Sequence, residues 1–325
     1  MSAQPSLEEP VGTLNESEIH SLKLRTILAA TDLSPNSLVA LQYACDLTKL
    51  TRGTIIVLHV FELPAFASKP EIYFSSRDAT FEVEETQNAV LERLHAIRDG
   101  IVYPHVPCSS SMRIGPPYEE IVHEADTRRA DLIVVGSQGL NGVHRFLMGS
   151  TAERVCRYAA CSVLVVPHKP ASQRNTTRKL KLRKILVPTD LSENSLTAIN
   201  FAAGLAKSSD AHLTLFHVFQ ISDYVAAQSD IAAAQCWALD RLHSLRETVT
   251  ASGGKCDAGM RTGVPYQEIV EEAEKIAPDL IVVGTQRATG IARCLMGSTA
   301  ERVLRHALCP VLVARNNRRI ASQTN

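Results

Sequence analysis

Three glycines and two hydroxyl residues in the first half of the sequence have the types and spacing of a phosphate-binding loop. Gly136 directly follows an apolar run, and Gly139 and Gly149 complete the pattern G-x2-G-x9-G-S. Ser150 and Thr151 come next. Glycines at a strand end let backbone N–H groups approach an anion closely, and a helix N-terminus attracts negative charge. The pattern therefore predicts a phosphate site.

The same residues allow a purely structural interpretation. Ser150 and Glu153 fit a capping box, in which the serine satisfies a backbone donor and the glutamate reaches back. Ser298 and Glu301 fit it equally. These residues alone support capping and phosphate binding to the same degree, and the two roles can coexist.

A carboxylate, Asp32, ends an earlier apolar run. At the carboxyl end of a strand it can accept hydrogen bonds from a ribose or from an adenine amino group. An Asx turn leading into the next helix would use the same side chain. Both roles remain open on sequence alone.

The elements that must position these residues occur twice in the chain. The segment RTILAATDLS at 25–34 reappears as RKILVPTDLS at 183–192, whereas MGSTAERV at 148–155 recurs unchanged at 296–303. The two offsets are 158 and 148, so the first copy carries ten extra residues between Phe61 and Arg113. An identity of this length indicates a duplicated unit.

Short β-branched runs alternate with segments of helical period in both copies, which predicts an α/β fold with a parallel sheet covered on both faces. Ser34 followed by Pro35 predicts a helix start. We place strands near residues 26–31, 54–60, 107–113, 131–136 and 162–167, and near 184–189, 212–218, 255–261, 279–284 and 310–314. The predicted layout is a tail at 1–22, a domain at 23–168, a linker at 169–181, a domain at 182–315 and a tail at 316–325.

Composition excludes several classes of protein. The 34 basic and 34 acidic residues give no net charge, so the electropositive footprint of a nucleic-acid binder is missing. No apolar run approaches the length of a membrane span, and no signal peptide begins the chain. The eight cysteines include no C-x-x-C pair and are predicted to be reduced and buried. We expect a cytoplasmic protein.

No catalytic constellation is visible. The sequence has neither a P-loop lysine motif nor a G-x-S-x-G elbow. His59 and His217 are predicted to be satisfied core histidines, and Glu119–Glu120 and Glu271–Glu272 exposed helix faces. We expect no enzyme and no metal held by protein side chains; slow ATP hydrolysis would lack a nameable general base.

These motifs resemble the universal stress protein family, in its tandem form, over residues 23–167 and 182–315. The resemblance implies two Rossmann-like domains of the adenine-nucleotide-binding type, each with five parallel strands in the order 3-2-1-4-5. It also implies ATP as the ligand, with any Mg²⁺ held by the phosphates. By resemblance, the first-copy ATP site comprises Ala30, Thr31, Asp32, Val60, Gly136, Gln138, Gly139, Arg145, Gly149, Ser150 and Thr151.

The second copy departs from the pattern because Arg287 replaces the middle glycine. Arginine is penalised if the position needs a positive φ, although its guanidinium can also pair with phosphate. A second site therefore stays open. It would comprise Pro188, Thr189, Asp190, Val218, Gly284, Gln286, Arg287, Gly297, Ser298 and Thr299.

Two functions follow as alternatives. The chain is expected to be an ATP-binding regulatory or protective factor in the stress response, or else an interaction scaffold or small-ligand binder with a vestigial phosphate cradle. By analogy with single-domain relatives, the two copies are expected to pack on each other, and a homodimer of whole chains stays open.

Overall fold

The computed structural model describes residues 14, 19, 22, 24–62, 77–101, 106–138, 148–167, 182–221, 230–285 and 296–316, with backbone alone at 77–84 and 101. Contacts divide the chain into two compact units. One comprises Leu24–Leu180, and the other comprises Met1–Lys23 together with Lys181–Asn325. The exact limits of the two domains stay a prediction. The predicted linker, residues 169–181, lies outside the described ranges.

The first unit alternates strands and helices around a parallel sheet. Its strands lie in the order β3-β2-β1-β4-β5, as the family resemblance implied. In chain order the elements are β1 (Thr26–Thr31), α1 (Pro35–Thr51), β2 (Thr54–Phe61), α2 (Arg77–Ile101), β3 (Cys108–Ile114), α3 (Pro117–Thr127), β4 (Leu132–Gly136), α4 (Ser150–Tyr158) and β5 (Ser162–Val166).

The second unit repeats this arrangement, with its strands in the order β8-β7-β6-β9-β10. The pairs β6–β7, β6–β9, β7–β8 and β9–β10 are all parallel. The elements are β6 (Lys184–Thr189), α5 (Glu193–Ser209), β7 (His212–Phe219), α6 (Ile231–Ala251), β8 (Lys255–Thr262), α7 (Pro265–Ile276), β9 (Leu280–Val283), α8 (Ser298–His306) and β10 (Val311–Val313).

The central strands β4 and β9 consist of leucine, isoleucine and valine side chains that are almost wholly buried, apart from Gly136 at the end of β4. Ile133 and Val134 of β4 and Ile281 and Val282 of β9 have no exposed surface. Strands covered on both faces need such continuous apolar runs rather than alternation. The predicted α/β class is confirmed, and each predicted strand lies within one residue of an observed one.

Helix α1 begins where the Ser34-Pro35 signal predicted. The Ser34 side chain accepts a hydrogen bond from the Ser37 N–H, 3.2 Å away, and Pro35 occupies the first helical position. A proline there loses nothing, because its missing N–H would have no partner inside the helix.

The predicted N-terminal tail contains two buried residues, Leu14 and Ile19, which are 7% and 3% exposed. The limits of this tail stay a prediction. None of the helices in the described ranges is long and apolar enough to cross a membrane.

Candidate functional site

The chain leaves β1 through a tight turn that places Asp32 at the carboxyl end of the sheet. The Asp32 Oδ1 atom accepts the Ser34 N–H at 3.0 Å, and the Thr31 hydroxyl accepts the Leu33 N–H at 3.0 Å. Leu33 adopts a left-handed conformation with φ 63°. The Asx turn that we considered for Asp32 is therefore present. This turn uses the Asp32 Oδ1 atom as an acceptor.

Two further contacts of Thr31 tie this turn to its neighbours. Its hydroxyl lies 2.8 Å from the Ser37 hydroxyl in the first turn of α1. Its carbonyl oxygen accepts a hydrogen bond from the His59 Nδ1–H at 2.8 Å. His59 is thus a buried, satisfied histidine of β2, as predicted, next to Val60.

The exit of β4 lies beside this turn. Strands β1 and β4 pair as far as Ala29 and Val134, and Thr31 and Gly136 follow two residues later on each. A Cβ placed on Gly136 would lie 3.8 Å from the Ser37 Cα atom, so Gly136 faces the first turn of α1 at ordinary contact distance.

Gly149 closes the loop that begins at β4. Its N–H donates to the Ser137 carbonyl oxygen at 2.7 Å, and a Cβ at this position would approach the same oxygen to 3.3 Å. That approach is tighter than most contacts of a real side chain, so this position favours glycine. The contact brings the start of α4 against the end of β4.

The capping-box interpretation of Ser150 is wrong. Gly149 is the N-cap of α4, with φ −64° and ψ 146°, no side chain caps the helix, and Ser150 is its first helical residue. Glu153 pairs instead with Arg157, one turn later, at 3.3 Å. The backbone donors of the first turn of α4 are therefore not taken by the predicted serine cap.

Two helix N-termini thus meet at the carboxyl ends of β1 and β4. The partial positive charges of α1 and α4 both act at this edge of the sheet; the first turn of α1 carries no acidic residue, and that of α4 carries Glu153. The strand order changes direction between β1 and β4. Open α/β sheets bind their ligands at such a point, beyond the carboxyl ends of the strands. The arrangement can hold an anion on backbone donors.

The second unit repeats several features of this geometry and differs from the first at its carboxylate. Leu191 has φ 64°, the Thr189 carbonyl accepts from His217 at 2.9 Å, and Gly297 is the N-cap of α8. The same correction therefore applies to Ser298. Asp190 Oδ1 accepts from both the backbone N–H and the hydroxyl of Ser192, at 3.1 and 2.6 Å.

The described site residues divide by position. In the first unit, Ala30, Thr31 and Asp32 lie at the end of β1, Val60 near the end of β2, Gly136 and Gln138 at the exit of β4, and Gly149, Ser150 and Thr151 at the start of α4. The equivalent residues occupy the corresponding positions of the second unit: Pro188, Thr189, Asp190, Val218, Gly284, Gly297, Ser298 and Thr299. Gly139, Arg145, Gln286 and Arg287 lie outside the described residues.

The prediction that Glu119–Glu120 and Glu271–Glu272 form exposed helix faces is confirmed for Glu119 and Glu271 and wrong for Glu120 and Glu272. Glu120 is half-buried and lies 3.4 Å from Arg113 of β3, and Glu272 is 8% exposed and lies 2.6 Å from Arg261 of β8. Glu124, which the sequence did not single out, is 2% exposed. Burial tends to raise the pKa of Glu124, but hydrogen bonds from Arg113, Ser111 and Arg128 outweigh it and lower that pKa below its ordinary value.

The prediction of buried cysteines holds for only part of the set. Cys45, Cys156 and Cys161 are buried, whereas Cys236 is exposed. Burial raises the pKa of Cys45 to about 12, which keeps this thiol protonated and unreactive at neutral pH. Among the described residues, no three His, Cys, Asp or Glu side chains form a metal-type cluster.

Comparisons with known proteins agree with this fold. A model of the universal stress protein family matches residues 23–167 and again 181–315. A universal stress protein of Methanocaldococcus jannaschii is 39% identical over 143 residues, 41% of this chain and 82% of that protein. A Staphylococcus aureus relative is 32% identical over 139 residues, 41% of this chain and 84% of its own.

A solved structure shares the fold over most of the chain. The universal stress protein of Archaeoglobus fulgidus covers 90% of this chain and 99% of its own, with a TM-score of 0.65 and 24% identity. Because two separate segments match the family model, together most of the sequence, the chain belongs to the universal stress protein family and carries two tandem copies of its domain.

Proposed function

We propose that the first unit binds ATP at the edge formed by β1, β4 and the N-terminus of α4, and that this binding serves a regulatory or protective role. Membership of the universal stress protein family supports a role in the stress response. The proposal adds the ligand. The nucleoside would lie against residues 30–32 and Val60, and the phosphates against Gly136, Gly139 and residues 149–151.

The observation that carries this proposal is the start of α4 at Gly149. A glycine N-cap has no side chain that could accept from the first-turn N–H groups, and the start of α4 lies beside the end of β4. Phosphate oxygens are well suited to such donors, and the dipole of the helix favours their charge. Ser150 and Thr151 would add hydroxyl donors at the same place.

We propose binding rather than catalysis. Catalytic ATP hydrolysis needs a group that orients or deprotonates water, and none is identified among the described residues of this edge. His59, a described histidine near this edge, donates from Nδ1 to the Thr31 carbonyl and is buried. Any Mg²⁺ would be held by the phosphates and not by protein side chains.

Equilibrium dialysis with labelled ATP tests the proposal. Gly149→Ala should weaken binding at least about tenfold, because its Cβ would crowd the Ser137 carbonyl and displace the donors. Gly100→Ala is the matched control, since a Cβ there meets nothing within 4 Å. Absence of ATP binding by the wild-type chain would contradict the proposal and favour the scaffold, as would equal binding by both variants.

A further inference from the structure

The crossover helix α2 reaches the turn that carries Asp32 through one side chain, Arg93. Its Nη2 atom donates to the Leu33 carbonyl oxygen at 3.3 Å. Leu94, the next residue, has no exposed surface and anchors this part of α2 in the core. Arg93 therefore extends from a fixed position on one element to the backbone of another.

Leu33 is the residue of this turn that most needs support. A leucine with φ 63° is in a conformation that costs about 1 kcal/mol or more, so contacts around it must hold it. Its N–H donates to the Thr31 hydroxyl, and its carbonyl accepts from Arg93. Side chains thus satisfy both backbone polar groups of Leu33, and the second side chain comes from a different element.

The second copy repeats the arginine at the same place. The segment Arg93-Leu94-His95 reappears as Arg241-Leu242-His243, at the offset of 148 that also relates the α4 and α8 segments. Leu242 is buried to the same degree as Leu94, and Leu191 has φ 64°. Burial lowers the pKa of Arg241, which indicates that this guanidinium is also turned toward the protein.

We propose that Arg93 is a positioning residue: it holds the Asp32 turn in its ligand-binding conformation and so couples the crossover helix α2 to the site. The ligand part of this inference rests on the proposed ATP site, whereas the effect on the turn does not. Because Asp32 is predicted to contact the nucleoside, the coupling should act on adenosine and ATP alike.

Two measurements on the full chain test the proposal with Arg93→Ala, Arg93→Lys and, as control, Arg98→Ala. Arg98 lies on the same helix but pairs with Asp99. Without ligand, Arg93→Ala should accelerate amide exchange at Leu33 and Ser34 about fivefold or more, as expected for a lost charge-assisted hydrogen bond. Arg93→Lys should largely restore protection, and Arg98→Ala should leave it unchanged.

Affinities for adenosine and ATP then separate positioning from direct contact. Arg93→Ala should weaken both ligands by the same factor, about three- to tenfold. A loss confined to ATP would mean that Arg93 contacts phosphate directly, and would overturn the proposal. So would unchanged exchange at Leu33 and Ser34, or equal effects of Arg93→Ala and Arg98→Ala. If the wild-type chain binds neither ligand, the proposed function fails, and the exchange data alone decide the role of Arg93.

Discussion

At the scale of residues, the two glycines that border the loop differ in what they require. A Cβ on Gly136 would make ordinary contacts, with the nearest atom 3.6 Å away, whereas one on Gly149 would crowd the Ser137 carbonyl. The sequence pattern treats the two as equal members of one motif. The two glycines differ because Gly149 donates to the Ser137 carbonyl and lies close to it. The sequence pattern cannot show this contact, because it depends on where the chain returns after the loop.

Sequence reasoning also misplaced the cap of α4 by one residue. The S-x-x-E pattern names a serine as N-cap, but the pattern cannot say which residue adopts extended backbone angles before the helix. Gly149 does so, and Ser150 enters the helix. The burial of Glu272 could not be predicted from the local sequence either, because its partner Arg261 lies on strand β8 and meets Glu272 only in the folded unit.

His217 gives a residue-scale prediction on pH. Burial lowers its pKa, against the opposing effects of the Thr189 carbonyl and Asp190, so the neutral ring is favoured in the folded chain. In the unfolded chain the pKa of a histidine ring is about 6.5. Its contribution to stability should be complete above that pH and should decline as pH falls toward the lower folded pKa.

An NMR titration of the histidine Cε1–H signals measures this directly. His217→Asn identifies the signal by its absence, and the midpoint should lie below about 6.5. The wild-type advantage in free energy of unfolding over His217→Asn should also be larger at high pH than at low pH within that window. A titration midpoint at or above the ordinary histidine pKa would contradict a lowered pKa for His217.

At the scale of elements, the paired helices α1 and α5 show how far local signals reach. Helix α1 begins after a T-D-L-S turn, as predicted from Ser34 and Pro35, and α5 begins after the same turn in the second copy. Their caps nevertheless differ. Ser34 accepts from the Ser37 N–H, whereas the Ser192 side chain makes no capping bond and donates to Asp190 instead. Nothing in the two short segments predicts that choice of rotamer.

This difference predicts unequal effects of two matched substitutions. Ser34→Ala should destabilise the first turn of α1 by about 1 kcal/mol and accelerate amide exchange at Ser37 roughly fivefold. Ser192→Ala should leave exchange at Ser195 nearly unchanged, because the Ser195 N–H donates to the Ser192 backbone carbonyl, which the substitution keeps. Equal acceleration at Ser37 and Ser195 would show that the two caps are equivalent.

At the scale of the whole molecule, the internal repeat made the architecture predictable. Each copy supports the interpretation of the other, so strand positions, strand order and the duplicated unit followed from sequence pattern and family resemblance together. What the pattern left open is how the copies have diverged. Arg287 replaces a glycine, the Asp190 carboxylate is engaged by the Ser192 hydroxyl, and a Cβ on Gly284 would lie only 3.2 Å from the Asn194 carbonyl oxygen.

From these differences we propose one nucleotide site, in the first unit, rather than two. Calorimetric titration with ATP of the wild-type chain, Gly149→Val and Gly297→Val tests this claim most directly, with circular dichroism to establish that each variant is folded. We expect about one ATP per wild-type chain, loss of the heat in Gly149→Val and its retention in Gly297→Val. Full binding by folded Gly149→Val, or loss of binding in Gly297→Val alone, would contradict the account.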